Sequence, residues 1–216
     1  MAQATFRADS AGIVACVGAV ASVQFRGIEL ETGSVFQIDS GEEFLVESPT
    51  NGARVYFAFG NADRPQGWRI KLDQLPDSVA KRDSFRFVLG PQAELLDLSL
   101  FRQTFEVSRT GNRVGIRLEP SLGGHSIELP SEPQCVGTVQ ISNDGTPILL
   151  GPDGPTIGGY PKIGVVASCD HDRIGQLRPG DKVHFELVAL PVARELGARS
   201  RAQFRRRLEL LRLAGI

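Results

Sequence analysis

The sequence carries at residues 54–59 the stretch Arg-Val-Tyr-Phe-Ala-Phe. Its apolar residues Val55, Phe57 and Phe59 fall at every second position, and alternation with a period of two is typical of a β-strand that buries one face. Near the other end of the chain, residues 182–187 read Lys-Val-His-Phe-Glu-Leu and repeat the pattern. The alternation predicts strands in both parts of the chain.

Shorter runs with strand character surround these two stretches. Asn51-Gly52, Asn143-Asp144-Gly145 and Pro179-Gly180 supply the glycine positions that tight turns need, and we expect the first two to close hairpins. Many short strands with frequent turns are typical of a barrel or sandwich, while a doubly wound sheet would need regular strand–helix alternation. The sequence therefore predicts a mainly β fold, with further strands at residues 13–17, 22–25, 43–46, 84–89, 101–107, 113–118, 147–150 and 163–167.

The composition argues against several classes of protein. A formal net charge of −1 over 216 residues lacks the basic excess that nucleic acids or anionic membranes attract, so we expect neither partner. Cys16, Cys135 and Cys169 lack the spacing of a zinc site or a disulfide framework, which predicts reduced, buried thiols and no metal. Since the sequence shows no signal peptide and no apolar run of membrane length, a soluble, cytoplasmic protein is expected.

Changes in composition divide the chain into four expected parts. Residues 1–62 are predicted to form an N-terminal β half, and residues 63–83, which contain prolines and the single tryptophan, a connecting segment. Residues 84–190 are predicted to form a barrel half. Residues 191–216 are expected to be a basic amphipathic helix.

The predicted C-terminal helix has a mixed surface. From residue 192 to 213 the apolar period becomes helical, with Phe204, Leu208 and Leu211 on one face and arginines around the rest. Two interpretations stay open. The helix docks a partner or an acidic surface, or it packs on its own barrel with its arginines in solvent.

The most unusual local composition is the glycine-rich stretch at residues 151–162, which reads Gly-Pro-Asp-Gly-Pro-Thr-Ile-Gly-Gly-Tyr-Pro-Lys. Paired glycines let a ligand approach the main chain, whose N–H groups can hold an anion beside the charge of Lys162. The stretch matches neither a P-loop nor a dinucleotide-binding pattern. A purely structural loop is the alternative.

A pair of arginines suggests a second binding element. Arg113 and Arg117 are separated by an even number of residues, so on one strand both side chains would leave the same face. Two guanidinium groups on one face could grip a carboxylate or a phosphate together. Charge alternation on a solvated surface explains the spacing equally well.

The second half of the chain resembles a known family. Motifs including RxGxRL and GGYP follow one another in the order shown by the C subunits of 5-oxoprolinase, a family also called KipA or allophanate hydrolase subunit 2 and related to the carboxyltransferase part of urea carboxylase. The likeness is clearest over residues 84–190. The segments that carry it are residues 90–92, 108–118, 131–133, 137–140, 143–148, 156–161 and 177–181.

The resemblance implies both a fold and a function. Members have a cyclophilin-like β-barrel, here expected with a C-terminal helix, and pair with a KipI-like B subunit. With a further A subunit, that pair opens 5-oxoproline to glutamate at the expense of ATP. The chain would then be one subunit of a hydrolase acting on the C–N bond of a small cyclic amide, with ATP shared with the partner subunit.

The resemblance also implies site residues. Gln140 and Thr156 would hydrogen-bond an amide, the backbone of Gly158 and Gly159 would stabilise developing oxyanion charge, and the arginines would pair with a substrate carboxylate or a phosphate. The residues expected to take part in catalysis are Gln140, Thr156, Gly158 and Gly159. Those expected to bind substrate are Arg113, Arg117, Ser131, Asp153, Tyr160 and Lys162.

Two departures from the family pattern favour other functions. Pro155 stands where the family has glutamine, replacing an amide with a ring that can neither donate nor accept a hydrogen bond. The family's TVQDxGR-like and GAMD-like motifs, which precede the matching region, do not occur, so we expect a chain shortened at its N-terminus. The alternatives are a non-catalytic binding or regulatory homologue that keeps the barrel, and an enzyme of different specificity.

Overall fold

The computed structural model describes residues 3–60, 84–95, 102–124, 127 and 129–213, without the side chains of 207 and 210–213. The chain forms two compact units, Met1–Asp77 and Ser78–Ile216. The boundary between the units falls inside the predicted connecting segment, residues 63–83, which itself lies outside the described residues. Each unit has its own sheets and its own core.

The described part of the N-terminal unit is a pair of antiparallel sheets. Strands β1, β6, β3 and β4 form one sheet in the order β1-β6-β3-β4, and β5, β2 and β7 form the other in the order β5-β2-β7. Every strand pairing in both sheets is antiparallel. The strands are β1 Ala4–Arg7, β2 Gly12–Val20, β3 Ser22–Phe25, β4 Ile28–Glu31, β5 Val35–Ile38, β6 Glu43–Val46 and β7 Asn51–Gly60.

Phenylalanine rings fill the space between these two sheets. Phe44 of β6 is 2% exposed, and its ring centroid lies 5.5 Å from those of Phe36 in β5 and Phe57 in β7. Phe6 of β1 stacks on Phe44 at 5.2 Å. Aromatic pairs at such distances add to the free energy gained by burying the rings, so the two sheets are held face to face by one aromatic cluster.

The C-terminal unit contains a closed barrel of seven strands in the order β10-β13-β12-β15-β8-β16-β9. A separate two-stranded ladder, β11-β14, lies outside the barrel. The barrel confirms the predicted mainly β fold class. The strands are β8 Ser84–Leu89, β9 Phe105–Val107, β10 Gly115–Glu119, β11 Glu132–Pro133, β12 Thr138–Ile141, β13 Pro147–Leu150, β14 Ile157–Gly158, β15 Lys162–Val166 and β16 Lys182–Leu187.

The barrel core forms where strands are buried on both faces. All residues of β12 and β13 are buried, including the polar Thr138 and Gln140 of β12. Phe87, Phe105 and Leu118 are fully inaccessible to solvent and join the same cluster. The barrel interior is therefore a packed core, and a ligand must bind at its surface or rim.

Two helices complete the C-terminal unit. The short α1, His171–Ile174, follows a 3₁₀ turn at Ser168–Asp170, and α2 spans Leu190–Leu213. The first turns of α2 contact the barrel strand β8 and the 3₁₀ turn, while Phe204 and Leu208 remain 55% and 40% exposed. Of the described helices, none is both long and apolar enough to cross a membrane.

The two alternating stretches, residues 54–59 and 182–187, form strands as predicted, but each buries only part of its apolar face. Phe57 packs against the aromatic cluster, whereas Phe59 near the end of β7 is 69% exposed. In β16, Val183 is fully buried but Leu187 is 49% exposed. Both strands extend beyond the core that covers their first apolar residues. The alternation therefore predicts which face of a strand is buried, but not the residue at which burial stops.

One predicted hairpin is confirmed and one is wrong. Asn143-Asp144-Gly145 connects β12 and β13, which pair with Ile141 opposite Pro147, and Gly145 takes a φ of 80° that its turn requires. Asn51 and Gly52 instead lie inside β7, which pairs with β2, while β6 pairs with β1 and β3. Gly52 therefore lies at the start of a long strand, β7, whose pairing with β2 changes register between Gly18 and Val20.

The thiols are free, as expected, but only one is deeply buried. Cys16 is inaccessible to solvent, and its burial raises the pKa of the thiol to about 11. Cys135 is exposed and Cys169 is half-buried, so the prediction of buried thiols is wrong for these two. Cys135 lies in a surface turn where its N–H donates to the hydroxyl of Thr138.

Candidate ligand pocket

The glycine-rich stretch is held at the barrel rim by the small ladder of β11 and β14. Glu132 lies opposite Gly158 and Pro133 opposite Ile157, and the N–H of Gln134 donates to the carbonyl of Thr156 at 2.9 Å. These bonds join two loops that are distant in sequence. The two joined loops form one wall of a pocket.

The pocket has a volume of about 420 Å³. A cavity of this size is in the range that holds small organic ligands. Four of the predicted site residues, Gln140, Gly158, Gly159 and Tyr160, line it together. The described residues around it are Ile127, Leu129, Gln134, Gln140, Asn143, Pro155, Ile157, Gly158, Gly159 and Tyr160.

Gln140 is the most buried polar side chain of the pocket. It lies in β12 at an irregularity where the pairing with β15 changes register, a feature that commonly redirects a side chain. Its side chain is 7% exposed, and its Oε1 atom has no hydrogen-bond partner among the described residues. A buried carbonyl without a donor costs about 1–3 kcal/mol, so this residue is suited to bind a ligand that donates a hydrogen bond.

Gln134 lines the same pocket, with its carboxamide next to Gly158. Its Nε2 donates to the carbonyl of Ile157 at 3.2 Å, while its Oε1 is buried and has no partner among the described residues. A Cβ atom added to Gly158 would lie 2.7 Å from this carboxamide. The absence of a side chain at position 158 therefore allows the amide of Gln134 to lie directly against the loop.

Lys162 contacts the loop rather than the pocket. Its side chain is 6% exposed, and its Nζ donates to Oε2 of Glu132 and to the carbonyl of Gly158, both at 3.1 Å. Gln92 also donates to Glu132 at 3.1 Å. The hydrogen bonds from Lys162 and Gln92 hold the pKa of Glu132 below its usual value, which favours the carboxylate that accepts them.

The two arginines do not lie on one strand. β10 begins at Gly115, so Arg113 is in the preceding turn, where its Nε and Nη2 donate to Asp153 at 2.5 and 2.8 Å. Arg117 lies within β10 and is half-buried. The pKa of Asp144 is lowered to about 2, mainly by its hydrogen bonds with Ser142 and Thr146, and the charge of Arg117 adds to that shift. The predicted shared face is therefore wrong, because the strand starts too late to include Arg113.

The remaining predicted residues lie beside the pocket. Thr156 and Ser131 are exposed and adjoin β14 and β11 without lining the pocket. The ion pair of Arg113 and Asp153 joins the turn before β10 to the start of the glycine-rich stretch. The structure thus brings one group of predicted residues into the pocket and leaves the other around its supporting loops.

Sequence reasoning missed several residues of the pocket. Gln134 and Asn143 contribute amides, while Ile127 and Leu129 contribute an apolar side. Asn143 falls in a hairpin that the sequence predicted, so its place could have been anticipated. Gln134 becomes visible as a site residue only through the pairing of β11 with β14, because no periodicity extends over strands of two residues.

The pocket offers hydrogen bonds rather than charge. None of the described lining residues is acidic or basic. Throughout the part of the chain that the structure describes, no group of three or more His, Cys, Asp or Glu side chains is arranged to hold a metal ion. The arrangement suits a small polar ligand with both apolar and hydrogen-bonding surface.

The chain resembles proteins of known name along most of its length. It is 26% identical over 232 aligned positions to the 5-oxoprolinase C subunit of Escherichia coli K12, covering 89% of this chain and 75% of that protein. It is 30% identical to urea amidolyase of Lachancea kluyveri over 107 positions, which cover 44% of this chain and 6% of the relative.

A solved structure gives the same picture. The crystal structure of TTHA0988 superposes with a TM-score of 0.69 at 26% identity, covering 84% of this chain and 43% of that protein. The chain thus spans three quarters of the E. coli relative but less than half of TTHA0988.

The family model of the carboxyltransferase domain, subdomain A and B, matches residues 60–187, more than half of the sequence. The chain therefore belongs to the carboxyltransferase subdomain A and B family.

Proposed function

We propose that the chain is a C-type subunit of an ATP-dependent, multi-subunit amide hydrolase, and that the pocket at the barrel rim receives the amide. The observation that carries the proposal is the buried Oε1 of Gln140, which has no partner among the described residues and lies in a pocket walled by Gly158 and Gly159. The E. coli relative is named as a 5-oxoprolinase subunit. A cyclic amide such as 5-oxoproline is the proposed substrate class.

Lys162 would act through the backbone of the glycine loop. Its ammonium donates to the carbonyl of Gly158, which belongs to the same peptide group as the N–H of Gly159. A cation at the carbonyl end polarises that group and makes its N–H a stronger donor. Developing negative charge on the substrate oxygen would be stabilised by such a donor, which makes Lys162 a positioning residue.

ATP and further subunits complete the proposed system. Phosphate groups are bound by cations, helix N-termini or metal ions, whereas the described residues of the pocket are uncharged. We therefore place ATP outside this pocket, in a site that a partner subunit provides or shares. A KipI-like B subunit and an A subunit are the proposed partners.

The test is ATP-dependent formation of glutamate from 5-oxoproline. This chain replaces its E. coli relative in a mixture with the remaining subunits of the E. coli enzyme, and each component is omitted in turn. Turnover is expected only when this chain is present. Gln140→Leu should lower kcat/KM about tenfold or more, because the substrate amide loses a hydrogen bond to a buried side chain.

Gln24→Leu is the matched control, because Gln24 lies in β3 of the N-terminal unit and bonds locally to Ser22. It should leave kcat/KM unchanged. Co-purification with the other subunits shows whether a complex has formed. A complex that assembles with this chain but forms no glutamate would refute the proposed activity.

One observation favours a non-catalytic binding homologue instead. Pro155 lines the pocket at the position where the sequence resemblance leads one to expect glutamine, so one hydrogen-bonding side chain is replaced by a ring. Such a homologue would keep the pocket and assemble with its partners without turnover. Pro155→Gln separates the two functions, since a gain of glutamate formation in the assembled mixture would mark the proline as the cause of inactivity.

A further inference from the structure

We propose that Gln134 is a ligand-binding and specificity-determining residue, which acts with Gln140 as a pair of carbonyl acceptors for a neutral ligand bearing two N–H groups. The ligand class is that of ureas, cyclic ureas and primary carboxamides, whereas a lactam such as 5-oxoproline offers one N–H group and would leave one of the two acceptors unpaired. The inference rests on the proposed function only in using the same pocket. Whether the chain takes part in hydrolysis is a separate matter.

The first support is the shared position of the two glutamines. Both line the same pocket, although one follows the short β11 and the other lies in the barrel strand β12. Their Oε1 atoms are two of only three buried side-chain polar atoms without a partner among the described residues, the third being Oγ1 of Thr32. Unpartnered buried acceptors are rare in folded proteins and call for an explanation.

The orientation of Gln134 is fixed by its neighbours. One N–H of Nε2 donates to the carbonyl of Ile157, which orients the carboxamide, while Oε1 has no partner among the described residues. Gly158 packs against the same group at a distance that leaves no room for a Cβ. The contacts with Ile157 and Gly158 therefore hold the carboxamide of Gln134 in place.

The chemistry of the ligand follows from what the two glutamines lack. A carbonyl oxygen accepts hydrogen bonds, so two of them select a ligand with two donors, and leaving either oxygen unpaired penalises a ligand without them. The described lining residues carry no charge, which favours a neutral donor over an ammonium. The ring of Pro155 and the side chains of Ile127 and Leu129 would contact its apolar part.

The experiment compares three five-membered rings by NMR titration of the full chain. The probes are 2-imidazolidinone with two N–H groups, 2-pyrrolidinone with one, and 1,3-dimethyl-2-imidazolidinone with none. The Kd is expected to rise with each N–H removed, and the shifts should map to the side-chain amides of Gln134 and Gln140 and the backbone amides of the two glycines. In Gln134→Leu, the Kd for 2-imidazolidinone should rise about tenfold.

Gly158→Ala provides a second variant that leaves both glutamines in the sequence. Its methyl group would displace the carboxamide of Gln134, so the Kd should rise to a similar extent. Gln24→Leu serves as the control, with an unchanged Kd. Equal binding of all three probes, no binding of any, or an unchanged Kd in Gln134→Leu would overturn the proposal.

The two proposals can fail separately. Donor-dependent binding that requires Gln134, in a chain that forms no glutamate with its partner subunits, would leave the acceptor pair standing and remove the hydrolase. Glutamate formation with a Gln134→Leu chain of unchanged kcat/KM, together with equal binding of the three probes, would do the reverse.

Discussion

The two units of this chain differ in where they bury polar side-chain atoms that have no hydrogen-bond partner among the described residues. Between the sheets of the N-terminal unit lies an aromatic cluster, and Thr32 is the one residue described there with a buried, unpartnered side-chain atom. In the C-terminal unit the barrel interior is equally apolar, yet two glutamine oxygens stay unpartnered at one rim pocket. A buried polar atom without a partner costs free energy, so its concentration at one pocket marks that region for binding.

We therefore expect stability and ligand binding to depend on different residues. Residues of the aromatic cluster should affect unfolding and leave ligand binding intact. Residues around the pocket should affect binding more than unfolding. Four substitutions test this division, in decreasing order of effect.

Phe44→Ala should have the largest effect on stability. The ring is 2% exposed and contacts three other phenylalanines, so its removal should lower the free energy of unfolding of the N-terminal unit by about 3–5 kcal/mol. Chemical denaturation followed by NMR signals of each unit measures the change. Phe59→Ala, at an exposed phenylalanine of the same unit, should change stability by less than about 0.5 kcal/mol. Loss of probe binding in a still folded barrel would contradict the division.

Asp170→Asn should destabilise the barrel by about 3 kcal/mol, because Arg86, whose side chain is 14% exposed, would lose its ionic partner. Asp170 is 1% exposed and accepts hydrogen bonds from the side chain and backbone of Arg86. Burial alone would raise the pKa of Asp170, but these hydrogen bonds and the charge of Arg86 outweigh it, so the pKa lies below its usual value.

The sign of the pH dependence follows from that shift. Since the folded pKa is lowered, the stabilisation is fully present above the usual aspartate pKa and is lost as pH falls through the folded value. The difference in unfolding free energy between wild type and Asp170→Asn should therefore shrink on acidification. Asp172→Asn, at an exposed neighbour, is the control. A difference that stays constant down to full protonation would show that the ion pair does not stabilise the barrel.

Lys162→Met should affect both stability and catalysis. The substitution removes the bonds to Glu132 and Gly158 and should lower the free energy of unfolding by about 1–2 kcal/mol. Because the carbonyl of Gly158 loses its cation, the backbone N–H of Gly159 should shift in the NMR spectrum and kcat should fall more than KM changes. Lys182→Met, at an exposed lysine paired with Glu106, should affect neither. A fall in stability with unchanged kcat would leave Lys162 a purely structural role.

Arg113→Ala should have the smallest effect. Arg113 and Asp153 are 47% and 48% exposed, and ion pairs between such exposed groups contribute less than about 1 kcal/mol. The loss should diminish further in high salt because solvent ions screen the pair. A double-mutant cycle with Asp153→Ala, read by denaturation, gives the coupling energy. A loss in kcat/KM well beyond this energy would identify the pair as substrate-binding residues, as the sequence resemblance implies.

Local patterns predicted much of the fold. Strands such as β3, β6 and β8 lie where the apolar runs placed them, and the hairpin at Asn143-Asp144-Gly145 forms because the chain itself supplies the conformation its turn needs. The failed hairpin at Asn51-Gly52 contains the same residue types. There the pairing of β7 with β2 over most of its length outweighs the local preference for a turn.

The candidate site was predicted only where the sequence resemblance carried motif residues. Gln140, Gly158, Gly159 and Tyr160 meet in one pocket, whereas Arg113 was placed on a strand that begins two residues later. Gln134 lies outside any recognisable pattern. Its importance depends on which carbonyl its amide reaches and which glycine lies against it, and neither is a property of the neighbouring sequence.

The mainly β class, the long C-terminal helix and the family resemblance could all be predicted from local patterns, because alternation, helical period and motif order are properties of neighbouring residues. The contact of Lys162 with the glycine loop and the shared pocket of Gln134 and Gln140 depend instead on long-range contacts. The partners of Glu132 lie 40 and 30 positions away along the chain, and strand register sets which of them meet. Side chains acquire their hydrogen-bond partners and their burial only when the barrel closes, so their roles could not be read from spacing.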